Sequence, residues 1–141
     1  NNPHFLEVGG LDLGAMSPGN DGNFGFGQLV LGTASTASVV ALTDIFDNGN
    51  RGIGDAPESL YLFGFGGPDG LVLNNGSTLI IGNINTYLLF DGEWLHLNSV
   101  FGPGVTEIPF SEGFIVVPTP GTTALLGIFG LGMTRRHRRL N

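Results

Sequence analysis

The chain has no cysteine and no lysine in 141 residues. Without cysteine there is no disulfide, no thiol nucleophile and no Cys-ligated metal. Without lysine there is no phosphate-binding P-loop. Histidine is scarce: His4, His96 and His137 lie far apart in the sequence and form no metal-ligand spacing. No serine stands in a G-x-S-x-G setting. No catalytic residue set and no cofactor are therefore expected, and the chain reads as a non-enzyme. Positive charge is also rare, with five Arg against 12 acidic residues and a net charge of −7. Four of the five Arg fall in residues 135–141, so residues 1–134 carry a formal −11. A body this acidic repels phosphate backbones, which argues against nucleic-acid binding. The chain opens without Met or an apolar leader. Export requires a leader, so the expectation is that the N-terminus has been removed or that this is the end of a longer chain.

What is present is turn-forming and apolar. Glycine (25) and proline (8) are abundant, yet 41% of the residues are hydrophobic and 11 are Phe. Disordered segments lack that apolar content. The body should fold with many turns and little helix. Residues 1–27 read as a loose lead-in or the remnant of a preceding unit, with one strand at His4 to Val8. Residues 28–117 read as an all-β body and 118–141 as a separate tail. Apolar runs at Gln28–Gly32, Ser38–Phe46, Ser59–Phe63, Gly70–Leu73, Ser77–Gly82, Ile84–Phe90, Glu93–Leu97 and Gly113–Val117 alternate with turn residues. Asp91-Gly92 predicts a two-residue hairpin. Three aliphatic triplets followed by a turn-former, Leu29–Leu31, Leu71–Leu73 and Leu79–Ile81, fit coils stacked on one core. A β-solenoid end is preferred, and a β-sandwich is the alternative.

Three constellations could carry chemistry. Asp47 to Glu58 has carboxylates at the first, ninth and twelfth places of a calcium loop, with Gly52 at the sixth. Gly49 and Arg51 occupy places that should offer oxygen. A looser Ca²⁺ site using Asp44, Asp47, Asn48, Asn50 and Asp55 is one alternative, and an acidic turn closed by Asx hydrogen bonds is the plainer one. Asp44 and Asp47 are the best pair for glycoside cleavage, but alternation keeps them off one strand face. Trp94, near Tyr61 and Tyr87, is a candidate glycan contact. Period 2 puts Trp94 and His96 on one side and Leu95 and Leu97 on the other. The alternative packs Trp94 under a loop, and His96 is expected to face solvent.

The tail has a fixed order: Val117, Pro118, Thr119 and Pro120; then the apolar run of Ala124, Leu125, Leu126, Ile128, Phe129, Leu131 and Met133; then Arg135, Arg136, Arg138 and Arg139. Proline ends the preceding strand. The apolar run can enter a bilayer as a C-terminal helix, and the arginines hold their end on the cytoplasmic side. A short buried helix is the competing reading. This order resembles the PEP-CTERM sorting signal of bacterial envelope proteins, in a Pro-Thr-Pro variant with Thr119 where the family usually has Glu. The resemblance covers residues 117–140. It implies an exosortase-type membrane transpeptidase as partner and transient anchoring in the inner membrane. It also implies delivery to the cell envelope or exterior, where extracellular polysaccharide is a further candidate partner. The body more loosely resembles the β-helical ends of such surface proteins, through Asp47–Asn50, Leu60–Tyr61–Leu62 and the G-x-W-x-x-L pattern of Gly92 to Leu97. The expectation is a non-catalytic exported surface or matrix protein. The alternative is a carbohydrate- or calcium-binding β module of a larger secreted protein.

Overall fold

A computed structural model describes residues 2–15, 23–64 and 70–118. In chain order the strands are β1 (His4–Glu7), β2 (Leu29–Leu31), β3 (Val39–Thr43), β4 (Leu60–Leu62), β5 (Leu71–Leu73), β6 (Thr78–Ile80), β7 (Thr86–Phe90), β8 (Glu93–His96), β9 (Glu107–Phe110) and β10 (Gly113–Val116). One 3-10 turn, Leu97–Val100, is the only helical element among the described residues. The described fold is all-β.

The strands form three sheets, ordered β1-β3-β6-β10-β9, β2-β5 and β4-β7-β8. All pairings are parallel except β7 with β8 and β9 with β10. Parallel neighbours cannot be joined by a tight turn. The chain therefore visits the other sheets before returning. His4 lies opposite Val40, Val39 opposite Thr78, and Thr78 opposite Phe114, so each return to the large sheet takes 36 to 39 residues. The stretch read as a lead-in contributes β1 to this sheet, paired with β3.

The triplets explain the core. Leu29, Val30 and Leu31 pair in register with Leu71, Val72 and Leu73. In each, the two leucines turn inward and the valine outward, as period 2 requires; Leu71 and Leu73 are fully buried and Val30 is exposed. The third triplet, Leu79–Ile81, lies on a different sheet, where Leu79 is flanked by Val40 and Ile115. Leu79, Ile81, Ile115, Leu62 and Leu88 have no exposed surface and belong to one apolar cluster.

Corners are stitched by small polar residues. The Ser77 hydroxyl accepts from the Ser38 N–H at 3.0 Å and donates to the Asn74 carbonyl. Gly113 has to be glycine because a Cβ there would collide with the Ser77 carbonyl and Leu73. One end of the body is closed by antiparallel pairs. Asp91 (φ 49°) and Gly92 (φ 83°) make the β7–β8 turn, the conformation a two-residue hairpin demands. Beyond it, Asn98 accepts from the Thr86 N–H at 2.9 Å and donates to the Ile84 carbonyl at 3.0 Å. Strand β9 has no counterpart among the sequence-expected strands. Its Pro109 lacks an N–H, which an edge strand tolerates. The opposite end keeps a cleft of about 370 Å³ lined by Val8, Phe24, Phe26, Asn48, Ser59 and Leu60.

Candidate functional site

The tail leaves the body from the large sheet. Strand β10 ends at Val116. Val117 donates its N–H to the Thr106 carbonyl at 2.9 Å and packs against the core. Pro118 is half-buried and cannot extend a ladder. Of the sorting motif, Val117 and Pro118 lie in the described residues. Thr119, Pro120, the apolar run from Ala124 to Met133, and Arg135, Arg136, Arg138 and Arg139 lie outside them, as does the expected C-terminal helix. Among the described residues no helix is long and apolar enough to cross a membrane.

The acidic turn is organised by Arg51 and Glu58. The Arg51 guanidinium meets Asp44 Oδ1 at 3.2 Å and Asp55 Oδ1 at 3.0 Å, and donates to the Asp44 carbonyl at 3.0 Å. Glu58 is fully buried. Its Oε1 accepts from the Asn48 and Asn50 N–H groups at 3.0 and 3.1 Å, and its Oε2 from the Asn48 amide at 3.0 Å. Asp44 Oδ2 in turn accepts from the Glu58 N–H at 3.1 Å. Asp47 accepts from the Gly49 N–H at 2.8 Å, an Asx turn, and the Asn50 amide donates to the Gly9 carbonyl at 2.7 Å. Of the five suggested metal ligands, then, Asp44 and Asp55 share a guanidinium, the Asn48 amide donates to Glu58 and to the Val8 carbonyl, and Asp47 and Asn50 are engaged with backbone. Among the described residues, no group of three or more His, Cys, Asp or Glu side chains is placed to hold a metal ion.

The third constellation is an aromatic ladder on the β4-β7-β8 sheet. Register sets Tyr61 opposite Tyr87 and Tyr87 opposite His96. The rings stack at 4.7 and 4.9 Å. His96, expected to face solvent, is half-buried against Tyr87 and meets Asn85 Oδ1 at 3.1 Å. Trp94 is half-buried, edge-on to Tyr61 at 5.8 Å and to Phe63 at 5.6 Å. Leu97 is buried and Leu95 packs on the core, as the alternation requires. Trp94 also borders a surface groove of about 450 Å³ with Phe90, Asp91, Glu93 and Leu95.

Residues 10–14 clamp over this ladder. Asp12 accepts from the Tyr87 hydroxyl at 2.7 Å, the Asn85 amide at 2.6 Å and the Gly14 N–H at 3.0 Å. Burial works to raise the Asp12 pKa, but these hydrogen bonds, helped by His96, outweigh it and leave the carboxyl below its ordinary value. Burial and the same carboxylate push the Tyr87 hydroxyl up. Glu7 is likewise lowered: burial opposes, while the Thr43 hydroxyl and the Phe46 N–H prevail. A carboxyl lowered in the folded state stabilises it fully above its unfolded pKa, roughly 4, and that share is lost as pH falls through the folded value. Stability is therefore expected to drop below about pH 4. The drop should be shallower in Asp12→Asn, as read by urea unfolding at pH 7 and pH 3. An equal pH 7-to-pH 3 loss in both proteins would contradict the assignment.

Asp12, Asn85 and Glu58 were not legible as partners. Buried tyrosine hydroxyls seek an acceptor, and that requirement is the one signal that could have led to a carboxylate. No family model, curated protein or solved structure matches this chain.

Proposed function

We propose that this chain is a non-catalytic exported surface or matrix protein, delivered to the cell envelope by its C-terminal tail. The observation that carries the reading is the tail's order, proline break then apolar run then four arginines, on a body with a formal −11. The strand ladder ends at Val116, directly before that break. An exosortase-type transpeptidase is the partner this order fits. The tail is read as anchored transiently in the inner membrane, with the arginines cytoplasmic.

The body is read as a β-solenoid end. Parallel returns at 36 to 39 residues support this, with aliphatic rungs such as Val40, Leu79 and Ile115 in register. So do the antiparallel strands β8 and β9, which close one end. The open end, with β1 at the sheet edge and Phe24 62% exposed, is where a further coil would add. Deleting Ala124 to Arg139 should release the body from the envelope fraction into medium or periplasm. Unchanged envelope attachment would overturn the reading.

One observation favours a second reading, a carbohydrate-binding module. Trp94 stands beside Asp91 and Glu93 in a groove large enough for a sugar ring. Binding to extracellular polysaccharide that is lost in Trp94→Ala, with the fold intact, would support it.

A further inference from the structure

The large sheet has an apolar face turned away from the core. Register aligns Phe5, Ala41, Ile80 and Val116 in one row across β1, β3, β6 and β10. Phe114 and Val39 lie in the adjoining row, each opposite Thr78. Their chain neighbours Leu79 and Ile115 are fully buried, so alternation turns this second set outward. Phe5 is 72% exposed and Phe114 38%. A contiguous apolar sheet face of this kind marks a contact surface.

We propose that the apolar run Ala124–Met133 of the same chain occupies this face while the protein is in water. Three observations select this occupant. First, β10 carries Phe114 and Val116 and leads straight into the tail; six residues separate Val117 from Ala124, a reach of about 20 Å. Second, the dimensions agree. Ten residues of helix measure about 15 Å, and the four strand spacings from β1 to β9 about 19 Å. The same run falls short of the ~30 Å hydrocarbon core of a bilayer, so its hold on lipid is weak enough for the sheet to compete. Third, the charges are complementary: four arginines follow the run, and the rest of the chain carries a formal −11. Glu107, opposite Val116, stands exposed at the end of the first row.

The face gives a lipid-seeking tail a seat before delivery. This function for the seat rests on the sorting reading above; the seat itself does not. The absence of native cysteine allows a direct test in the full chain. Phe5→Cys with Leu126→Cys places one thiol on the face, three strands from the root of the tail, and one in the run. Val30→Cys with Leu126→Cys is the control, since Val30 is exposed on a different sheet and, like Phe5, is distant from residue 126 in the sequence. A short bis-maleimide in aqueous buffer is expected to join residues 5 and 126 within one chain at least about tenfold faster than 30 and 126, because a seated tail raises the local concentration. Ala41→Cys, opposite Phe5 in the same row, replaces Phe5→Cys where the latter fails to fold. Equal rates for both pairs would overturn the proposal, as would links formed only between two chains, which would make a second copy the occupant. Flotation of the unmodified chain with phosphatidylethanolamine and phosphatidylglycerol vesicles reads the membrane step separately. A chain that floats but does not cross-link fails the seat alone; one that cross-links but does not float fails the sorting reading alone.

Discussion

Replacing Glu58 by alanine is expected to lower the stability of the body by about 3 kcal/mol or more, at no less than about one for each of the three donors left without an acceptor. The side chain is completely buried and gathers two backbone N–H groups and one amide from the turn that follows β3. Alanine removes all three acceptor contacts and admits no substitute from the protein. Glutamine separates shape from charge. Its carbonyl oxygen still serves the Asn48 and Asn50 N–H groups, and only the contact with the Asn48 amide becomes donor against donor. Glu58→Gln should therefore cost about 1 kcal/mol, the size of one net hydrogen bond. Urea unfolding of the three proteins checks the order. Equal losses for alanine and glutamine would mean that the charge, not the acceptor geometry, holds the turn.

Leu79→Ala carries the second large effect. Leu79 has no exposed surface and sits in register between Val40 and Ile115 on the large sheet. Truncation there removes a rung from the middle of the apolar stack, and the parallel strands on either side are fixed by their ladders, so the space cannot collapse. A loss of roughly 3–5 kcal/mol follows, or a fall in Tm of about 15 °C or more at this size. Ile80→Ala, one residue away on the outward face, should cost less than about 1.5 kcal/mol. Thermal melts of both variants compare the two faces within one strand. Similar falls would contradict the assignment of inside and outside on which the apolar outer face also depends.

Sequence patterning located most of the strands because each is an aliphatic run closed by a turn residue with its own backbone demand. Asp91-Gly92 is the clearest case, since both residues adopt positive φ. The leucine-valine-leucine runs at 29–31 and 71–73 could be seen to match, and they pair directly. Leu79–Ile81 shares their pattern and their apolar core but belongs to another sheet, because period 2 reports which face is buried and not which sheet receives the strand. Strand β9 was hidden by Pro109, a residue that argues against a central strand and is harmless at an edge. The polar contacts were the least legible. Asp12 and Tyr87 stand 75 residues apart, and Arg51 reads as a misplaced cation in a calcium loop until Asp44 and Asp55 are seen on either side of it. Such pairings follow from how the sheets pack, which composition and spacing do not encode. The tail's order was plain in the sequence, and its residues beyond Pro118 lie outside the described structure.

On the proposed reading, the tail alone is an address and the body is its cargo. Fusing residues 117–141 to an unrelated exported reporter, in an exosortase-bearing host and in the same host lacking that enzyme, tests this without the body. Envelope association of the reporter that depends on the enzyme, and that is lost when Arg135, Arg136, Arg138 and Arg139 are all replaced by Gln, is the predicted result. A reporter that stays in the periplasm of both hosts would contradict it.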